Sequence, residues 1–249
     1  MTLGNARLER EAAFHDQTGD DYTREPAVKF YAAARNSHNH FIDTVRMHAR
    51  DGRVLDYGCG TGGSTCTIAQ SGARVTGIDI SPGAIAVAQQ KVRDAGLGDR
   101  VDLHVMNAEE LAFDDNTFDV VCGSSVLHHL DLDACYREIH RVLKPGGVAV
   151  FDEPLGHNPL INWYRNRTPE MRTVDEHPMM ASDIDMGREL FADVDIRYFH
   201  ISSLATVPFR NTALFNPMYA VAEALDRLAM RLIPPLRMWA WRIVMVMRK

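Results

Sequence analysis

The sequence predicts an α/β fold, a doubly wound and mostly parallel sheet with helices on both faces. From Arg53 onward, short β-branched and apolar runs alternate with helix-like stretches. The first run ends in a cluster of glycines, and the second ends at Asp79, just before a serine and a proline that open a helix. Such alternation means βαβ units, in which each crossover packs back on the sheet.

The elements follow in order. Residues 1–50 are helical in pattern and hold no strand run. The run 53–58 (RVLDYG) is the first strand, and 64–71 is its helix. The second strand is 73–80 (ARVTGIDI); Ser81 suits an N-cap and Pro82 the first helical position. Strands follow at 101–106 (VDLHVM), 118–123 (FDVVCG) and 147–152 (GVAVFD). Between the last two, DACYREIHRVL forms a helix stopped by Lys144-Pro145-Gly146-Gly147. After Asp152 the periodicity fades, and 153–193 reads as a cap insertion over the sheet. Strands at 194–202 and 238–247, with a helix around 217–232 between them, complete a seven-stranded sheet. One domain spanning 1–249 is expected: a helical lid (1–50), a core (51–152), the cap (153–193) and the C-terminal strands (194–249). The apolar and aromatic residues of 199–220, Leu214 among them, read as core.

Composition narrows the class. The chain has 249 residues, 46% hydrophobic and 24% charged, with a net charge of −6. That balance offers no general basic surface, so no nucleic-acid partner is expected. The four cysteines form no CxxC pair or ligand cluster, and no metal is expected. The first residues lack the apolar core of a secretory signal, and the longest apolar stretch, 236–247, is too short to cross a bilayer. A cytoplasmic enzyme without a transmembrane segment is the expectation; the oligomeric state is not legible.

The chemistry concentrates in VLDYGCGTGG, residues 54–63. Glycines there let the chain turn tightly and let a ligand approach the backbone. Gly58, Gly60 and Gly63 also satisfy the GxGxxG dinucleotide fingerprint, and Asp79 suits ribose hydroxyls with either kind of cofactor. Asp56 discriminates between them. A carboxylate there would repel a pyrophosphate but attract an ammonium or sulfonium group.

With NAEELAF, SSVLHHL and EIHRVLKPGG added, residues 53–152 resemble the class I S-adenosylmethionine-dependent methyltransferases, in particular those carrying the small-molecule methyltransferase domain. The resemblance implies a Rossmann-like sheet with an antiparallel last strand. It implies S-adenosyl-L-methionine as cofactor, S-adenosyl-L-homocysteine as product, and a small acceptor methylated on oxygen, nitrogen or carbon. It assigns the cofactor to Asp56, Gly58, Cys59, Gly60, Asp79, Ile80, Asn107, Ala108, Glu109 and Ser124, with Tyr22 reaching over from the N-terminal lid. It puts His128 and His129 beside the methyl group, to orient the acceptor or to take its proton, with His129 slightly ahead. His15 on the lid, and Glu153, His157, Asp175 and His177 after the fifth strand, are expected to face the acceptor. Three other readings remain: an S-adenosylmethionine enzyme that transfers no methyl, a nicotinamide oxidoreductase, and a non-catalytic cofactor-binding module.

Overall fold

The computed structural model describes residues 3–18, 25–169, 173 and 176–249. Helices α1 (Leu3–Thr18) and α2 (Glu25–Ala49) precede β1 (Arg53–Tyr57). There follow α3 (Gly63–Ala69), β2 (Arg74–Asp79), α4 (Pro82–Asp94), β3 (Val101–Val105), β4 (Phe118–Ser124), α5 (Leu132–Val142) and β5 (Leu143–Pro154). The chain continues through α6 (Pro159–Arg167), α7 (Ala181–Leu190), β6 (Asp193–Phe199), α8 (Phe215–Leu232) and β7 (Arg242–Arg248).

The sheet order is β3-β2-β1-β4-β5-β7-β6. β1 to β5 pair in parallel, and β7 runs antiparallel to both β5 and β6. This is the expected seven-stranded sheet with its antiparallel last strand. Strand order reverses between β1 and β4, which opens a crevice at their carboxyl ends.

Alternation along the strands produces the two layers. Leu55, Tyr57, Val121, Phe151 and Met245 turn to one face, where Tyr136, Ile139 and Ile184 from α5 and α7 cover them. Val54, Val120, Val150 and Val244 turn to the other, beneath Phe41, Ile68 and Val92 from α2, α3 and α4. Period-two side chains buried on both sides are what parallel strands under two helical layers require. Ser81 caps α4 as expected, its hydroxyl accepting the Ala84 N–H at 2.9 Å.

Three stretches depart from expectation. Residues 153–193 hold α6 and α7, and α7 packs against α5 as an outer-layer crossover, so this stretch is more than a cap. Only Ile184 and Gly187 of α7 are buried, too few to print a visible period. β7 starts at Arg242 rather than 238, because Pro234 and Pro235 set a 3-10 turn over 234–239. β6 stops at Phe199, and a second 3-10 segment occupies Ser203–Phe209. Among the described residues, no helix is long and apolar enough to cross a membrane.

Candidate active site

Beyond β1 the chain turns through Gly58 and Gly60, with φ of +70° and +52°. A Cβ at Gly58 would lie 2.4 Å from Val126 Cγ2, so the turn packs directly beneath the loop after β4. A Cβ at Gly60 would meet no atom within 4 Å: that side of the turn is open. Asp79 spans the opening, its Oδ2 accepting the Gly60 N–H at 2.8 Å and its Oδ1 the Ser81 N–H at 2.9 Å. An ionised carboxylate offers about four acceptor positions, so a half-buried Asp79 keeps room for two hydroxyls. Asp56 lies underneath, buried, accepting the Thr65 hydroxyl at 2.6 Å. Burial raises its carboxyl to about 6, against the Thr65 bond and with help from the Asp79 charge. An ammonium group above the turn would ease that strain, which fits the sulfonium amino acid better than a diphosphate.

The Cys59 side chain packs back under β2, its Sγ 3.1 Å from where a Gly77 Cβ would stand, and its N–H donates to Ile78 C=O at 2.8 Å. Asn107 Oδ1 accepts the Glu109 N–H at 3.0 Å, closing a turn and leaving one lone pair for an adenine amine. Ala108 C=O accepts the Tyr57 hydroxyl, fixing that loop to β1. The Glu109 carboxylate holds the Arg7 guanidinium and accepts the Asp131 N–H at 2.8 Å, so it anchors α1. Ile80 follows β2 and Ser124 ends β4, both half-buried at the rim.

Helix α1 lies across the mouth. Arg7 Nη1 donates to His129 C=O at 2.9 Å, and a Glu11 carboxylate oxygen lies 3.2 Å from His129 Nδ1. One turn further, Asp16 Oδ1 accepts the Gly83 N–H at 3.1 Å and the Ser81 hydroxyl, both at the start of α4. The helix therefore bridges the β4 loop and the α4 N-terminus as a lid. Tyr22 and the ring of His15 lie outside the described residues, as does Asp175.

The opposite lip is built around a buried pair. His128 Nδ1 lies 2.7 Å from Glu153 Oε2, while Glu153 Oε1 accepts the N–H groups of Val126 and Leu127, each at 2.9 Å. Burial pushes the His128 imidazole below its ordinary range, against the pull of Glu153. Burial alone would raise the Glu153 carboxyl; the hydrogen bond from His128, with the two backbone donors, outweighs it and holds the group below its usual range. The pair is thus a neutral imidazole donating from Nδ1 to a carboxylate, which directs Nε2 away from it as an acceptor. Glu153, fully buried, holds the ring of His128 in place.

The rings of His128 and His129 lie 4.2 Å apart. Glu176 brings a carboxylate oxygen to within 4.8 Å of ligand-capable atoms on both. It also accepts from Arg165 Nη2 at 2.7 Å, so a cation already neutralises it. His177 meets the crevice through its backbone, donating its N–H to His128 C=O at 3.0 Å, while its ring is half exposed. His157 accepts the Ala181 N–H at 3.1 Å and caps α7. The sequence reading placed Glu176 with Asp175 and His177 in an ordered cap that contacts substrate, and passed over Arg7 and Glu11. Arg7 and Glu11 form an ordinary i,i+4 pair of opposite charges, which marks a solvated helix face until the helix docks.

Comparisons with known proteins agree with this geometry. Residues 55–151 match the family described as Methyltransferase domain. The chain is 34% identical to a demethylmenaquinone methyltransferase of Symbiobacterium thermophilum, covering 76% of this chain and 88% of the relative. It is 32% identical to a sterol 24-C-methyltransferase of Eremothecium gossypii, over 71% of this chain and 43% of the relative. Among curated relatives the share spanned falls as low as 36%, for a sterol 4-C-methyltransferase of Caenorhabditis elegans. Among solved structures, the cyclase SpnF superposes with a TM-score of 0.59 at 25% identity, over 85% of this chain and 81% of the other.

Proposed function

From the premise that this chain belongs to the class I S-adenosylmethionine-dependent methyltransferases, we propose that it methylates an oxygen, nitrogen or carbon of a small apolar acceptor, as one cytoplasmic domain. The observation that carries this reading is one crevice. On one lip, Asp79 spans an open glycine turn above buried Asp56; on the other, Glu153 holds His128. Bound S-adenosylmethionine would supply a methyl carbon already activated by its sulfonium.

The rest is positioning. Asp79 takes the ribose hydroxyls, Asp56 the ammonium, and Asn107 with Ala108 the adenine edge. Lid α1 closes the mouth through Arg7 and Glu11 and excludes water. His128, kept neutral and fixed by Glu153, presents Nε2 to the acceptor and takes its proton where the attacking atom carries one. His129, tied to the lid at its carbonyl and ring, reports closure to the same spot. Relatives named for demethylmenaquinone and sterols support an apolar acceptor.

A second reading keeps the cofactor site and transfers no methyl, and the likeness to a cyclase favours it. Calorimetric titration with S-adenosylmethionine, S-adenosylhomocysteine and NAD, on wild type and Asp79→Ala, tests the site. The two sulfur ligands should bind and weaken about 10- to 100-fold on substitution, as lost charge-assisted hydrogen bonds require. Binding of NAD alone would refute the proposal. Incubation with demethylmenaquinone or a sterol, read by mass, then separates methyl gain from isomerisation.

A further inference from the structure

Helix α8 is amphipathic the wrong way round for a helix on the outside of a protein. Its buried face is Tyr219, Glu223, Asp226 and Met230. Its exposed face is the apolar series Leu214, Met218, Val221, Leu225, Leu228 and Leu232, spaced four and three residues apart. Leu225 and Leu228 are 57% and 52% exposed, while Glu223 and Asp226 are each 4% exposed. The acids point inward because they are needed there. Asp226 accepts the N–H groups of Ile201, Ser202 and Ser203, and Glu223 pairs with His200. Residues 199–220 are therefore only partly core, contrary to the sequence reading, since Leu214 and Phe209 stand exposed.

Charge on this face is one-sided. Between 203 and 241 the only acids are Glu223 and Asp226, both buried, whereas Arg210, Arg227, Arg231 and Arg237 are exposed. A chain of net charge −6 thus carries one face, among its described residues, that combines exposed leucines with exposed arginines and shows no exposed acid. The apolar surface runs past the helix end to Ile233 and Trp239. Asn158 donates to Trp239 C=O at 2.6 Å and ties in α6, which exposes Leu160 and Trp163 beneath the Arg167 guanidinium.

We propose that this face docks on an anionic lipid bilayer, α8 lying in the plane of the interface. Leucines entering the acyl boundary, arginines at headgroup level and tryptophans at the rim are the requirements for interfacial binding. A second copy of the chain fits less well. Pairing two such faces would set arginine against arginine with no carboxylate between them, and the apolar surface is wider than one helical seam. The 203–209 segment leaves the carboxyl end of β6, and 234–239 leads into Arg242, which bonds Asp152 and Ser125 beside the β4 loop. The docking face therefore belongs to the same edge of the sheet as the crevice.

Sedimentation with phosphatidylcholine vesicles, with and without phosphatidylglycerol, tests it, alongside sedimentation velocity without lipid. The wild type should bind the phosphatidylglycerol vesicles and release at high salt. Leu225→Ser with Leu228→Ser should abolish binding. Arg227→Gln with Arg231→Gln should weaken it by roughly fivefold per charge. Both variants alter exposed side chains, and unchanged affinity for S-adenosylmethionine verifies that they fold. Absence of vesicle binding by the wild type would overturn the proposal. So would a dimer that the leucine variant dissolves, or equal binding by wild type and both variants.

Discussion

Among the described residues, two fully buried histidine–glutamate pairs have nearly the same local geometry. His128 and Glu153 approach to 2.7 Å through Nδ1, and so do His200 and Glu223. Each glutamate has its second oxygen satisfied, one by the Val126 and Leu127 N–H groups, the other by Asn36 Nδ2 at 2.9 Å. The difference lies on the far side of each ring. His128 stands beside His129 and Glu176 at the crevice. His200 is ringed by Phe199, Tyr219 and Trp241, and its Nε2 is buried without a hydrogen-bond partner among the described residues. The lesson is that a histidine–carboxylate pair becomes chemically useful through what its second nitrogen meets. The His200 pair instead pins α8, and with it the orientation of the apolar face.

The sharpest way to break this comparison is to exchange roles. Glu153→Gln should lower kcat by roughly 100-fold or more, in the range of a lost general base, with cofactor affinity little changed. Glu223→Gln should leave kcat within about twofold and instead cost about 3 kcal/mol in urea unfolding, as a broken buried pair does. Equal losses of kcat in both variants would end the distinction.

Next in size is a pH effect on the cofactor lip. The Asp56 carboxyl is raised to about 6, above its unfolded value, so it is ionised at pH 7.5 and protonated below 6. Affinity for S-adenosylmethionine should therefore fall as pH drops through 6, approaching tenfold per unit. Folding stability should move the opposite way, because a raised pKa contributes stability present at low pH and lost as pH rises through 6. Asp56→Asn, titrated over the same range, should flatten both curves.

His128 supplies a contrast, since burial depresses it and it stays neutral below the pH at which a free histidine would charge. Turnover per bound cofactor should hold level as pH falls through 6.5, a result read from kcat under saturating cofactor. The smallest expected effect belongs to the lid. Glu11→Gln should speed S-adenosylhomocysteine release about threefold by stopped flow, the scale of one partly screened ion pair.

The sequence alone determined the scaffold and the cofactor lip. Strand period, glycine turn, Asp79 and the Ser81-Pro82 cap are written within a few residues of one another, and local sterics suffice to read them. The seven strands were legible from their apolar runs, whereas the antiparallel last one followed from the family resemblance. Tertiary structure decided the rest. Glu153 bonds His128 across 25 residues, and Glu176 comes within reach of both histidines only through the fold. Arg7 and Glu11 acquired a role only once α1 docked. Which face of α8 turns outward depended on His200 and on the backbone of 201–203 needing its acids. Such pairings join residues far apart in the chain, and burial, which no local pattern records, determines which partner each charged group must find.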